Sequence, residues 1–352
     1  MPLSADECKR ILRLAKVDGA LICTDANRIY LTGYASTQAA IAVTQKGVFY
    51  FTDKRYLTEA SERISSDFTI REGSILEACK SLKSCVRVGV EFDMSHSQYK
   101  FALAAMKKPG TAFGCIKDIS PVITQMRSVK SSFEFDLIKK AQSITDFAFG
   151  EILKYIKAGV TEIELAARLE FIMQSKGAGL AFDTIMAFGE NGAKPHAHRS
   201  DRELREGDFI TMDFGAKWQG YCSDMTRTVA FGSIDGRKAE AYDTVLQANM
   251  RGVASLRAGV IGKQVQDDIR AFFKERGVEK NFTHSLGHGV GIDIHEAPYY
   301  NAAPFRAGNV VTVEPGLYFD GNFGIRIEDM LKITQDGADN LTKSDKSLII
   351  IK

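Results

Sequence analysis

Four carboxylates in the C-terminal half of the chain fall into two pairs, Asp213 with Asp224 and Glu314 with Glu328. The segments that carry them echo each other. Arg205-Glu206-Gly207-Asp208-Phe209-Ile210-Thr211-Met212-Asp213 is matched, at an offset of 101 (306 against 205), by Arg306-Ala307-Gly308-Asn309-Val310-Val311-Thr312-Val313-Glu314. Each run goes from a basic residue through glycine and a polar residue to strand formers and an acid on the strand. Acids gathered on strands are expensive to bury unless something positive holds them. Two divalent cations would do so, because carboxylates bridge a pair of metals a few ångströms apart.

Hairpin arithmetic sharpens the point. Phe209 to Gly215 and Tyr221 to Phe231 are strand candidates joined by a turn in Lys217–Gly220. A turn centred between Trp218 and Gln219 makes Asp213 and Asp224 direct cross-strand partners, with Cβ atoms about 4.5–5.5 Å apart. A turn centred on Gly321 sets Glu314 opposite Glu328 in the same way. Like charges so placed repel, and an ordinary surface hairpin avoids them.

Histidine is the usual nitrogen ligand and the usual proton carrier near neutral pH. The chain has six: His96, His196, His198, His284, His288 and His295. Three of them fall within the twelve residues His284–His295, with Gly287 and Gly289 flanking His288 so that backbone can approach closely. His96, alone in its surroundings, reads as structural.

These groups need a scaffold, and helical periodicity supplies one twice. Leu137, Ile138, Ala141, Ile144, Ala148, Ile152 and Ile156 mark a long helix from Phe133, closed by Gly159. Thr161 with Glu164 is a capping-box start for a helix over Glu162–Ser175. The pattern returns as Arg237–Arg257, closed by Gly259, and Gly262–Glu275. Ala158-Gly159-Val160 recurs as Ala258-Gly259-Val260. The C-terminal domain therefore reads as helix, helix, hairpin, twice over, an α+β domain with a pseudo-twofold internal repeat.

The first third alternates helix and strand. Helices are expected over Ala5–Lys16, Lys54–Ser65, Ser74–Lys83 and Ser97–Met106. Strands are expected over Gly19–Thr24, Ile29–Thr32 and Arg87–Glu91, with a hairpin in Ala39–Thr52 turned at Gln45-Lys46-Gly47. Pro121 to Ser132 is polar and reads as broken, which divides the chain into a small α/β domain, 1–122, and a larger one, 123–352. A length of 352 residues suits two domains.

A hydrophobic share of 45% is ordinary for a globular protein, and a net charge of +2 without a basic run gives no nucleic-acid footprint. No apolar stretch approaches the roughly 20 residues needed to span a bilayer, and Met1 to Arg10 lacks the apolar core of a signal peptide. The six cysteines, Cys8, Cys23, Cys79, Cys85, Cys115 and Cys222, have no metal-finger or redox spacing. They fit buried thiols in a reducing cytoplasm. Asp213-Phe214-Gly215 mimics a kinase motif, but no glycine-rich loop with a paired lysine and no His-Arg-Asp loop accompanies it.

Taken together, His284–Glu296, Asp213 with Ser223-Asp224-Met225-Thr226-Arg227-Thr228, Glu314-Pro315-Gly316, Gly324-Ile325-Arg326-Ile327-Glu328-Asp329 and Pro195-His196 resemble the motifs of proline-specific metallopeptidases, the prolidases and aminopeptidases P. Tyr30-Leu31-Thr32-Gly33-Tyr34 and the layout of the first third are similar to the smaller domain of those enzymes. The resemblance implies a pita-bread catalytic domain, two bound divalent ions and hydrolysis of the bond between an N-terminal residue and proline. It implies that Asp213 chelates one ion, Asp224 and Glu328 bridge both, and His288 and Glu314 hold the second. Glu314 would also take the proton of the attacking water. His196 and His295 would meet the substrate carbonyl or its oxyanion, His284 would stand at the pocket edge, and Arg326 would steady the carboxylates. Four oxygen donors and one nitrogen suit Mn²⁺ or Co²⁺, with Zn²⁺ and Fe²⁺ as alternatives. Xaa-Pro peptides are the implied substrates and a homodimer the implied assembly. A metal-free, creatinase-like or non-catalytic relative would lack several of the five ligands, and a methionine aminopeptidase would lack the N-terminal domain.

Overall fold

Two strands, Ala39–Thr44 and Gly47–Thr52, pair antiparallel across Gln45-Lys46, as the turn residues require. They sit inside a six-stranded sheet in a computed structural model that describes residues 3–107 and 116–352. Cys115 lies outside the described residues. The chain divides into two compact units, Met1–Arg127 and Ser128–Lys352.

In the first unit the strand order is Phe68–Glu72, Gly47–Thr52, Ala39–Thr44, Gly19–Ile22, Val88–Val90, Ile116–Asp118. The strand expected at Ile29–Thr32 is instead the end of a helix, Asp25–Thr32, closed by Gly33 at φ 70°. A short apolar run does not distinguish strand from buried helix. Tertiary contacts decide it here. The buried Glu91 carboxylate accepts from the Thr24 backbone N–H at 3.0 Å and the Asn27 amide at 2.6 Å, both at the helix start. The single helix expected over Ala5–Lys16 is two, Ala5–Cys8 and Arg10–Ala15. The stretch expected to be broken, Pro121–Ser132, begins with a helix over Ser120–Ser128. Pro121 occupies its first turn, where a missing N–H removes no helical bond. His96 opens the helix His96–Met106 and is exposed.

The second unit repeats itself. Its first helix pair, Ser132–Ile152 and Glu162–Ser175, covers one hydrophobic cluster, and its second, Gly236–Ser255 and Gly262–Glu275, covers another. The expected capping box of Thr161 with Glu164 is formed. Thr161 bridges Glu203 as Ile261 bridges Pro304. The Arg205 N–H donates to the Asp208 carboxylate at 2.9 Å, and the Arg306 N–H to the Asn309 side-chain oxygen at 2.7 Å. Gly207 and Gly308 hold φ 86° and 89° in these two turns, a region closed to most other residues. No helix among the described residues is long and apolar enough to cross a membrane.

Strand Phe209–Phe214 pairs with Met225–Phe231, but Asp213 faces Thr226, not Asp224. The turn is the two-residue Gln219-Gly220, with φ 47° and 89°, one position later than expected. The register shifts by two as a result. Asp224 falls in a break between Tyr221–Cys222 and Met225–Phe231, level with Gly215. A Cβ on Gly215 would lie 1.9 Å from the Ser223 carbonyl oxygen, so only glycine fits that break. The second hairpin keeps the expected register. Val313 faces Asp329 on one ladder and Gly316 faces Arg326 on the next, which leaves Glu314 opposite Glu328 in the gap between them. Both acids therefore sit just off the strands and not on them.

Candidate metal centre and its pocket

The two hairpins meet side by side. The Glu328 N–H donates to the Thr226 carbonyl at 3.1 Å, and the Thr228 hydroxyl donates to the Arg326 carbonyl at 3.0 Å. This seam brings the acids of both halves to one place. A pocket of about 240 Å³ is lined by Asp213, Asp224, His288, Glu314, Glu328 and Arg326, with His196, His284 and His295 around them. Every sequence-predicted site residue is thus in one pocket. His198 is exposed and not among the pocket-lining residues.

The electrostatics are severe. Asp224 and Glu328 are 4% and 2% exposed. Burial, then Glu328, Asp213 and Glu314, push the Asp224 carboxyl well above the usual range. Burial, then Glu314 and Asp213, do the same to Glu328. Burial lifts Glu314 to about 7, against the pull of Arg326. His288 donates from Nδ1 to the Gly289 carbonyl at 3.1 Å, which leaves the Nε2 lone pair facing inward. That atom lies 3.6 Å from Asp224 Oδ2 and 3.3 Å from Glu314 Oε1. Burial holds the His288 ring neutral by lowering its pKa.

These donors fit divalent metal. One ligating atom each of Asp224, His288 and Glu328 lie within 4.8 Å of one another. Asp213 Oδ1 is buried without a hydrogen-bond partner. A buried carboxylate oxygen is costly to leave unpaired, and a cation beside it would satisfy it. The donor set is four carboxylates and one imidazole, suited to metals that accept hard oxygen ligands.

A network surrounds the donors. Arg326 Nη2 contacts Asp213 Oδ2 at 2.5 Å and Arg326 Nη1 donates to the Tyr318 hydroxyl at 2.6 Å. That hydroxyl in turn donates to His284 Nε2 at 2.9 Å, because His284 Nδ1 donates to the Ser285 carbonyl at 2.7 Å. Burial, then the Arg326 charge, drops the His284 pKa to about 4, so the ring is neutral near pH 7. The Thr226 hydroxyl donates to Glu328 at 2.8 Å, and the Thr312 hydroxyl to Glu314 at 3.2 Å. His295 is exposed, and its ring meets the His288 ring edge-on at 4.3 Å between centroids.

Tyr318 was not predicted from the sequence, yet its position was accessible. With the turn centred on Gly321, Tyr318 pairs with Gly324 and so shares a face with Arg326, two residues on. Gly316 leaves room for it, since a Cβ there would lie 2.6 Å from the Tyr318 hydroxyl. Phe182, Ile185 and Ile294 give the pocket its apolar wall. Nothing in their spacing marked them, because they come from loops and a strand end distant in the chain.

Residues 136–335 match the model of metallopeptidase family M24, and residues 6–129 match the creatinase/prolidase N-terminal domain. The chain is 34% identical to a Xaa-Pro dipeptidase of Pyrococcus horikoshii, over 99% of this chain and 100% of that protein. Among solved structures it is similar to a Xaa-Pro dipeptidase from Bacillus anthracis, with TM-score 0.91, 35% identity and coverage of 97% and 98% of the two chains. It is also similar to an X-Pro aminopeptidase from Thermotoga maritima, with TM-score 0.89, 35% identity and coverage of 97% and 100%. The architecture expected from the sequence is the one found: a small α/β domain followed by a pita-bread domain with an internal repeat.

Proposed function

The chain belongs to metallopeptidase family M24, and from that premise we propose that it hydrolyses the bond between an N-terminal residue and proline using two divalent cations. Membership of a metallopeptidase family implies divalent metal. The observation that supports this reading most is the set of buried, mutually repelling carboxylates of Asp224, Glu314 and Glu328 around an inward-facing His288 Nε2. Asp213 would hold one ion, His288 and Glu314 the other, and Asp224 and Glu328 both. The oxygen-rich set favours Mn²⁺ or Co²⁺.

The bound ions would polarise the scissile carbonyl and lower the pKa of a water molecule. The chain's own groups do the rest. Glu314, a carboxyl whose burial favours the protonated form, takes the proton of the attacking water at its Oε and passes it towards the leaving nitrogen. His196 and His295, at the pocket rim, donate to the substrate carbonyl as it becomes an oxyanion. The neutral His284 ring, fixed by Tyr318, borders the site for proline. Arg326 keeps Asp213 aimed. Phe182, Ile185 and Ile294 shield the substrate side chains from water.

That relatives matching nearly the whole chain include Xaa-Pro dipeptidases favours short peptides over long ones. Purified protein assayed with Mn²⁺, Co²⁺, Zn²⁺ and Fe²⁺ on a series from Xaa-Pro to longer Xaa-Pro peptides is the test. Release of the first residue, fastest from the dipeptide, and its loss in Asp224→Ala and in His288→Ala are expected. Hydrolysis that survives both substitutions would refute the site.

A further inference from the structure

His295 has a weakness for a residue that must aim at a substrate. Among the described residues no side-chain hydrogen bond reaches its ring, which only rests against His288. Its direction therefore depends on the backbone of the loop Gly291–Glu296. That loop ends in a buried ion pair which has no part in the chemistry above. Lys130 Nζ lies 2.8 Å from Glu296 Oε1, with side chains 1% and 8% exposed.

We propose that the Lys130–Glu296 pair is a positioning clamp that fixes the loop bearing His295. The proposal rests on the reading of His295 as a substrate contact. Glu296 directly follows His295, and its second oxygen accepts the Asp293 N–H at 3.2 Å, so one carboxylate ties the loop across three residues. The carboxylate folds beneath Gly291, where a Cβ would lie 2.3 Å from Glu296 Oε1. Lys130 is itself anchored. Its N–H donates to the Gly308 carbonyl at 2.9 Å, and the neighbouring Ser128 carbonyl accepts the Asn309 amide at 2.7 Å. Gly308 and Asn309 form the turn that leads into the strand before Glu314. The clamp therefore references the His295 loop to the same strand that places Glu314. From the other side, the Cys222 N–H donates to the Gly291 carbonyl at 2.7 Å and its thiol to the Ile292 carbonyl at 3.3 Å. Replacing a buried ion pair by apolar groups of similar size is often neutral for stability, so stability does not explain why this loop carries one. Directed, charge-assisted geometry does.

The test is a double-mutant cycle on the metal-loaded, full chain. Lys130→Met combined with Glu296→Leu removes the pair without leaving a buried charge. With the two changes, kcat for Xaa-Pro hydrolysis should fall by about 10–100-fold, the range for groups that orient an active-site side chain. In a His295→Ala background the same two changes should cost less than about twofold, because their effect passes through His295. Affinity for Mn²⁺ by calorimetry should not move. Equal losses in both backgrounds overturn the proposal. Hydrogen exchange gives a readout that needs no activity: in Lys130→Met the amides of 291–296 should exchange faster, while those of Phe209–Phe214 and Val310–Val313 do not. An unchanged loop, or a rise spread over the whole unit, overturns the clamp. Absence of Xaa-Pro hydrolysis by the unmodified protein would instead remove the functional reading, and the exchange experiment would still judge the clamp.

Discussion

The first half of the Ser128–Lys352 unit places Asp213 and Asp224 on one hairpin, and the second places Glu314 and Glu328 on the other. The helix ends, the Thr161–Glu203 and Ile261–Pro304 bridges and the glycine turns at Gly207 and Gly308 coincide. The side chains that move or direct protons do not. The first half brings His196 alone. The second brings His284, His288 and His295, together with Tyr318 and Arg326. Duplication has kept the backbone that sets two acids at matching stations, while the proton chemistry has gathered on one side. The acids are also seated differently: Asp213 stands on its strand facing Thr226, whereas Asp224, Glu314 and Glu328 sit in breaks between ladders.

Glu314→Gln attacks this asymmetry most directly. It keeps the shape of the side chain and removes its ability to hold a proton. A fall in kcat/KM of at least about a thousandfold is expected, roughly 4 kcal/mol of transition-state stabilisation. Steady-state kinetics on a Xaa-Pro dipeptide measures it. A loss below about tenfold would mean that the proton is handled elsewhere, and the contrast between the halves would dissolve.

The network that serves only the second half comes next. Tyr318→Phe deletes the hydroxyl that accepts from Arg326 and donates to His284. Removing a partner of this kind costs about 10–100-fold in activity or metal affinity. Kinetics and metal titration on the same sample separate the two. An unaltered enzyme would show that Arg326 and His284 are held by other contacts.

Much of this was legible in the sequence. The repeat offset matched Asp213 to Glu314, each followed by a second acid, and symmetric pairing about Gly321 gave the Glu314–Glu328 relation without coordinates. The Asp213–Asp224 relation was misjudged, because the first hairpin turns on Gln219-Gly220 and breaks its ladder at Ser223-Asp224. A break held by one glycine leaves little trace in composition. The helix at Asp25–Thr32 was hidden for a different reason: the carboxylate that anchors its start, Glu91, is more than sixty residues away. Clamps such as Lys130 with Glu296 are invisible in the same way, since only folding makes them neighbours.

Metal loading should depend on pH with a definite sign. Without metal, Glu314 titrates at about 7 in the folded chain, and Asp224 and Glu328 are shifted in the same direction. Metal displaces those protons, so affinity for Mn²⁺ should rise with pH through neutrality, by about tenfold per unit for each proton released. Calorimetry in buffers of different ionisation enthalpy counts them. Stability of the metal-free chain moves oppositely. Between its unfolded value of 4.5 and about 7, Glu314 binds a proton in the folded chain and not in the unfolded one, so its contribution falls as pH rises. The histidines, whose pKa values are lowered, act in the other sense below 6.5 and drop out above it. From pH 7 to about 8, below the range where the buried thiols and phenols titrate, the acids alone remain. The metal-free chain should therefore lose stability with rising pH while the loaded one does not, as urea unfolding would show.

The smallest effect belongs to the first half's own loop. Glu162, fully buried at the start of its helix, accepts from the Phe188 N–H at 2.7 Å, the Asn191 amide at 2.9 Å and the Ser200 N–H at 2.8 Å. It thereby closes the loop that carries His196. Here the pinning carboxylate is on the helix and the loop supplies neutral donors, whereas in the second half the carboxylate is on the loop and a lysine meets it. Glu162→Gln turns an amide N–H₂ towards some of these donors and should destabilise the fold by about 1–3 kcal/mol. Because His196 is the only histidine this loop brings to the pocket, kcat should change by less than about tenfold, equivalent to about 1.4 kcal/mol. Urea unfolding beside dipeptide kinetics measures both quantities. A kinetic loss as deep as that of Glu314→Gln would place essential chemistry on the first half and reverse the assignment.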